Sequence, residues 1–299
     1  EMVTKNIVKS HRVSKRPAVK RYTRSRFGNF LLFSFLVIAG LFSALPLIYS
    51  ICTSFKPLDE LLIFPPRFFV HRPTLSNYLA LPDLMASLRV PLSRYVFNSL
   101  FVSIVSTFLY IILSTMAAFS FAKGKYRGRT ILFWMIQFAL MFNTYILSVP
   151  QYLIFSKLNI IDTYFVYILP YLATTLGVFL AKQYIEGYIP DALLEAAKID
   201  GANYFRIFLS IVMPVIKPAW LTLMLFSFRD IWATVPNGTI FTEQLKTLPQ
   251  IASQITAGGI ARSGSSMAVT VIMMIPPIAV FLISQSNVIE AMSSAGIKE

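Results

Sequence analysis

Long apolar runs alternate with short polar segments along the whole chain. Residues 30–54, 96–122, 131–155, 163–181, 215–235 and 265–288 are each apolar and long enough to cross a bilayer as a helix, which takes about 20 such residues. The pattern predicts an all-α polytopic membrane protein with six spans. Pro46 lies inside the first run, Pro150 near the outer end of the third and Pro170 inside the fourth. Pro276-Pro277 predict a break in the sixth, because proline supplies no N–H and clashes with the preceding turn. The first run is too long for a signal-peptide core and no small-x-small cleavage site follows it, so it reads as a retained span.

The connectors carry the charge. Residues 1–27 are strongly basic from Lys5 to Arg26, and Lys123, Lys125, Arg127 and Arg129 form a compact basic turn without an acid. Basic flanks stay in the cytoplasm. Six spans place both termini on one side, together with 123–129 and 186–218, and place 55–95 and 236–264 outside. The expected organisation is a basic cytoplasmic segment, 1–27, and a transmembrane domain, 28–299. Composition agrees: the chain is 56% hydrophobic and 13% charged, where soluble domains carry about 25% charge. The net charge of +14 is concentrated at the amino end, unlike the spread footprint of a nucleic-acid binder, so no nucleic acid is expected. Cys52 is alone in an apolar run, and His11 and His71 are far apart, so neither a disulfide nor a metal site follows.

One connector has an amphipathic pattern of its own. In 186–218, Pro190 and Asp191 mark a helix start, the aspartate suited to capping. Leu194, Ala197 and Ile199 suggest a short apolar face, and Asp200-Gly201 a stop in a left-handed turn. A second helix is expected from Asn203, running into the apolar residues after Ile207.

Glu195-Ala196-Ala197, followed by Gly201 and then Ile211-Val212-Met213-Pro214, resembles the EAA loop of ATP-binding-cassette importer permeases, with Met213 in place of a usual leucine. The resemblance implies a coupling helix seated in a groove of a cytoplasmic ATPase. On that reading Glu195, Ala196, Ala197, Asp200 and Gly201 form the contact: small alanines permit close approach and Glu195 offers a charge-assisted hydrogen bond.

The spans offer little chemistry. Charged residues are absent from the second, third, fourth and sixth, which argues against a proton-coupled carrier. No GxxxxGK[ST] occurs for nucleotide phosphates. Uncharged polar residues are plentiful: Asn98, Ser103, Ser106, Thr107, Ser114 and Thr115 in the second span, Gln137, Asn143, Thr144 and Gln151 in the third, Thr174 and Thr175 in the fourth. Each alone suits helix packing; as a set with Tyr145, Tyr152 and Tyr167 they suit a path for a polyhydroxylated solute. Phe228-Arg229-Asp230 puts a base and an acid in the fifth span. Neighbours on a helix point about 100° apart, so each seeks another partner. External acids (Asp59, Glu60, Asp83 or Glu243) folding over Arg229, or a substrate carboxylate, both satisfy that need.

Similarity extends to Asn98-Ser99-Leu100, Pro150-x-Tyr152, Ile161-Asp162-Thr163, Met267-Ala268, Phe281, Gln285 and Gly296-Ile297-Lys298. Together they resemble the smaller permease of maltose-type importers, and within them an acidic-polysaccharide (alginate) importer permease. Phe228-Arg229-Asp230 departs from the family's Trp-Asn-Asp. The resemblance implies a type I fold in the bacterial inner membrane, a second homologous permease, two ATP-binding-cassette ATPase subunits and an extracytoplasmic solute-binding protein. It implies no catalysis and no cofactor in this chain, ATP and magnesium being held by the ATPases. Arg229, Asp230, Asn143, Tyr145, Gln137 and Thr174 are the expected substrate-path residues. A permease for a non-sugar solute and a stand-alone secondary carrier remain as alternatives.

Overall fold

The computed structural model describes residues 26–86, 88–142, 144–172, 175–236 and 238–295. The basic stretch 1–25, Asn143 and Thr174 lie outside the described residues. The described chain is helical. It comprises α1 (Arg26–Ser54), α2 (Leu58–Leu61), α3 (Ser76–Ala86), α4 (Leu92–Lys123), α5 (Arg129–Ala139), α6 (Thr144–Lys157), α7 (Phe165–Leu172), α8 (Thr175–Tyr188), α9 (Asp191–Ile199), α10 (Tyr204–Ile207), α11 (Met213–Val215), α12 (Lys217–Trp232), α13 (Leu248–Thr256) and α14 (Ser263–Ala295). A π-helical turn, Phe208–Val212, joins α10 to α11. The chain forms two units, 1–48 and 49–299. In the first, the described residues belong to an apolar helix whose large side chains, Phe30, Phe33 and Phe42 among them, are exposed.

Four helical stretches are long and apolar enough to cross a membrane: Phe27–Ser54, Leu92–Lys123, Phe165–Tyr188 and Ile260–Gln285. A fifth is the pair Tyr204–Val215 and Lys217–Trp232, bent by 80°. The expected third span is not one helix. It is split into α5 and α6, and the end of α5 tightens into i→i+3 turns, Met141 N–H to Phe138 O at 3.0 Å and Phe142 N–H to Ala139 O at 3.2 Å. The helix expected from Asn203 does run on into the apolar residues after Ile207, as Tyr204–Val215. Asn203 does cap α10, its Oδ1 accepting the Arg206 N–H at 2.8 Å. The helix then turns at Ile216 (φ −87°, ψ 18°). Pro214 and Pro218 supply no N–H on either side of that turn, which explains the local π-turn and the bend. The Trp220 indole donates to the Met213 carbonyl at 3.1 Å across it.

Within 49–299 three apolar clusters hold the helices. One joins α4, α8 and α9 to the bent pair through Phe119, Ala181, Ile185, Leu194, Phe208, Ile216 and Leu223. A second, at the other end, joins α3, α12, α13 and α14 through Leu81, Met85, Phe228, Trp232, Leu248, Ile251 and Val269. The third centres on Val102, Val166, Tyr167 and Ile231. Close approach of α4 and α8 requires Gly177: a Cβ there would lie 2.2 Å from the Tyr110 hydroxyl.

Candidate functional site

Helix α9 is amphipathic, but not on the expected face. Leu194 is buried and Ala197 half-buried, whereas Ile199 is 86% exposed. Ile199 is five positions from Leu194, which turns it away on a helix of 3.6 residues per turn. It shares the opposite face with Ala192, Glu195 and Ala196, all exposed. Asp191 is the first helical residue rather than the cap, a place taken by Pro190 in extended conformation.

The end of α9 is a Schellman motif. The Gly201 N–H donates to Lys198 O and the Ala202 N–H to Ala197 O, each at 3.0 Å. Gly201 has φ +81°, and nothing lies within 4 Å of where its Cβ would be. Glycine is needed here for backbone conformation, not for space. Lys198 closes the turn from the far side, its Nζ donating to the Tyr204 hydroxyl at 3.2 Å. The start of α9 is tied to the basic turn: Lys123 Nζ lies 2.7 Å from Asp191 Oδ1. That hydrogen bond, and then the lysine's charge, hold the Asp191 carboxyl below the ordinary aspartate range. No sequence spacing predicts this pair.

At the opposite end of the molecule, Arg229 and Asp230 occupy the last turn of α12, and both are exposed. They do not pair with each other. Three of the four acids that were candidates to cover Arg229 are engaged elsewhere. Asp59 pairs with Arg72, Glu60 accepts the His71 N–H at 3.0 Å, and Glu243 pairs with Lys246 and accepts the Tyr95 hydroxyl. Asp83 makes no ion pair with Arg229 among the described residues.

The polar residues of the second span fall into two groups. Ser103, Ser106, Thr107, Ser114 and Thr115 are buried between helices, and Thr115 bonds its own helix at Ile111 O, 2.6 Å. They pack. Asn98 is also buried: its amide donates to Gln244 O and Lys246 O at 2.8 Å each, and its Oδ1 accepts the Tyr164 hydroxyl at 2.7 Å. Ser99 Oγ accepts the Leu248 N–H at 2.7 Å. These residues therefore fasten segment 238–256 onto α4. Asp162 fastens it from the other side, accepting the Phe241 and Thr242 N–H groups at 2.9 Å each and the Thr242 hydroxyl. Desolvation opposes the Asp162 charge, but these three donors outweigh it and the carboxyl sits below its ordinary range. Tyr167 donates to Gln250 Oε1 at 2.7 Å and is a packing residue. Gln137 is half-buried on α5, which packs against α8 and α4; α12, with Arg229, packs mainly against α14 and α4. Among the described residues, Gln137 and Arg229 thus stand on helices with different main neighbours. Asn143 and Thr174 lie outside the described residues, as does the side chain of Tyr145.

Residues 110–294 match the family model described as binding-protein-dependent transport system inner membrane component. The chain belongs to this family. It is a multi-pass inner-membrane protein and the non-catalytic membrane subunit of its transporter, which removes the stand-alone carrier as a reading. The permease is 29% identical, over 96% of its length and 99% of the relative's, to the sulfoquinovosyl glycerol transport system permease protein SmoH of Agrobacterium fabrum. It is 27% identical, over 88% and 96% of the two chains, to the polygalacturonan/rhamnogalacturonan transport system permease protein YtcP of Bacillus subtilis. Its fold matches a chain of the crystal structure of a bacterial ABC transporter involved in the import of the acidic polysaccharide alginate. The TM-score is 0.71 at 21% identity, over 88% of this chain and 98% of that one.

Proposed function

We propose that this permease is the membrane subunit of an ATP-driven importer of carbohydrate, with an acid-bearing oligosaccharide as its cargo. Relatives named for sugar-containing solutes and similar to it along most of its length support the carbohydrate class. The acidic character rests on one observation: Arg229 is exposed in the last turn of α12, and each of Asp59, Glu60 and Glu243 is held by another group. A guanidinium binds a carboxylate through two parallel hydrogen bonds, so it can read a uronic-acid unit. Transport then depends on a second permease, two ATPases that hold ATP and magnesium, and an extracytoplasmic binding protein. The exposed face of α9 (Ala192, Glu195, Ala196 and Ile199), with the turn at Asp200-Gly201, is the proposed ATPase contact. Both termini, 123–129 and 186–218 face the cytoplasm.

The test is uptake by the Arg229→Gln variant in the assembled transporter. Uptake of acidic oligosaccharide should fall more than uptake of a neutral one of equal length, and the gap should narrow as salt rises. Equal loss for both cargoes would make Arg229 a structural residue.

A further inference from the structure

The cytoplasmic end of α4 and the helix Tyr204–Val215 enclose a cavity of about 460 Å3. Its floor is Phe119 and Phe208, both buried, with ring centroids 6.1 Å apart. Its walls are Met116 and Phe205, at 40% and 59% exposure. The walls end at Gly124, Lys125 and Tyr126, where a second cavity of about 560 Å3 continues along the basic turn to Arg127 and Arg129. Gly124 makes this corner possible: a Cβ there would lie 2.4 Å from Ser120 O and 2.9 Å from the Tyr126 ring.

The two cavities therefore form one groove with a polarity gradient. The apolar part lies against the last turns of a membrane-spanning helix, and the cationic part begins where that helix stops. Among the described residues, no Asp or Glu lines either cavity. Lys123 is occupied by Asp191 at 2.7 Å, and Arg129 donates to Gly124 O at 2.9 Å. Lys125 and Arg127 make no ion pair or hydrogen bond among the described residues.

We propose that this groove binds an anionic phospholipid of the cytoplasmic leaflet, with an acyl chain along Phe119, Phe205 and Phe208 and its phosphate at Lys125 and Arg127. Apolar walls beside a membrane-spanning helix fit the chain, and Lys125, which reaches Asp191 only through longer-range charge, and Arg127 fit the headgroup charge. Phe205 and Phe208 belong to the helix that follows the Gly201 turn, so an occupied groove braces the second arm of the coupling motif against α4. The site rests on the cytoplasmic placement of 123–129 in the proposed function, which labelling of a Gly238→Cys variant by an impermeant thiol reagent added outside tests independently.

The experiment uses the assembled transporter in nanodiscs containing a photoactivatable phosphatidylglycerol or the matching phosphatidylcholine, with adducts mapped by mass spectrometry. Labelling of Met116 and Tyr204–Phe208 by the anionic probe should exceed that by the zwitterionic one about thirtyfold, from two cations near an anionic surface. The excess should vanish in the Lys125→Gln/Arg127→Gln variant and survive in Lys125→Arg/Arg127→Lys. Should the neutral variant fail to assemble, the wild-type preference must still decline as sodium chloride rises. Equal labelling by both probes would mean ordinary annular lipid and overturn the proposal. Displacement by inorganic phosphate beyond that by chloride at matched ionic strength would mean a free-phosphate site, and would overturn it too.

Discussion

The Trp232 indole N–H donates to the Met273 carbonyl at 2.9 Å. Residue 277 is the helical donor that Met273 would otherwise use, and it is a proline. The indole of α12 thus supplies the bond that α14 lacks, and α14 runs unbroken through Pro276 and Pro277, against the break expected from sequence. Phe228, stacked on Trp232 at 5.8 Å, holds the ring in place. Trp232→Phe should cost about 1–2 kcal/mol by leaving a half-buried carbonyl unpaired. Pro277→Ala restores the helical donor, so the double variant should lose less than the sum of the single ones in thermal unfolding. Strict additivity would show that the two positions act separately.

Gly201 gives a prediction about conformation rather than size. At φ +81° with open space around it, Gly201→Ala and Gly201→Leu should cost about the same, ~1–2 kcal/mol. Gly201→Asn should cost less, because asparagine tolerates the left-handed region. Thermal unfolding ranks the three, and substrate-stimulated ATP hydrolysis should fall in the same order. A cost that grows with side-chain volume would point to a neighbour in the assembled complex.

The two faces of α9 should respond differently. Ile199→Ser, on the exposed face, should leave the membrane subunit folded and weaken ATPase association by about 1–3 kcal/mol, the value of burying such a side chain. Glu195→Ala should do likewise by removing a charge-assisted bond worth about 1.5–3 kcal/mol. Leu194→Ser, in the core cluster, should lower stability instead. Co-purification of the ATPase, set beside melting temperature, separates the two classes; normal association in both Ile199→Ser and Glu195→Ala would remove this face from the interface.

Asp162 predicts an acid-sensitive segment at 238–256. Its carboxyl is held below the ordinary range by donors from Phe241 and Thr242. A depressed folded-state value means the charged form stabilises the fold above the ordinary aspartate pKa, and that contribution is lost as pH falls through the depressed value. Limited proteolysis between 238 and 256 should therefore stay slow at neutral pH and accelerate only in strong acid. Asp162→Ala should show the fast pattern at all pH values. Slow cleavage in that variant at neutral pH would show that Asn98 and Ser99 hold the segment alone.

What the sequence made legible was local. Apolar run length gave the membrane class and the spans at α1, α4, α7–α8 and α14. Asp200-Gly201 announced the Schellman turn, because that conformation is written in two adjacent residues. The missed features depend on partners distant in sequence. Continuity of α14 needs a donor 41 positions away, and the role of Asn98 needs carbonyls near residue 245. The Lys123–Asp191 pair joins the end of α4 to the start of α9, which local charge patterns treat separately. The 80° turn at Ile216 lies between Pro214 and Pro218, residues that mark a disruption but not its angle. The Ile199 error came from treating a five-residue spacing as one face.

Uptake into proteoliposomes tests the central claim most directly. The complete transporter is reconstituted with ATP and magnesium on the ATPase side and binding protein with labelled oligosaccharide on the other. Uptake should require ATP and the binding protein together, and should fall sharply in Ile199→Ser and Glu195→Ala while those complexes remain in the membrane. Uptake by this chain alone, driven by an ion gradient without ATP or binding protein, would contradict the account.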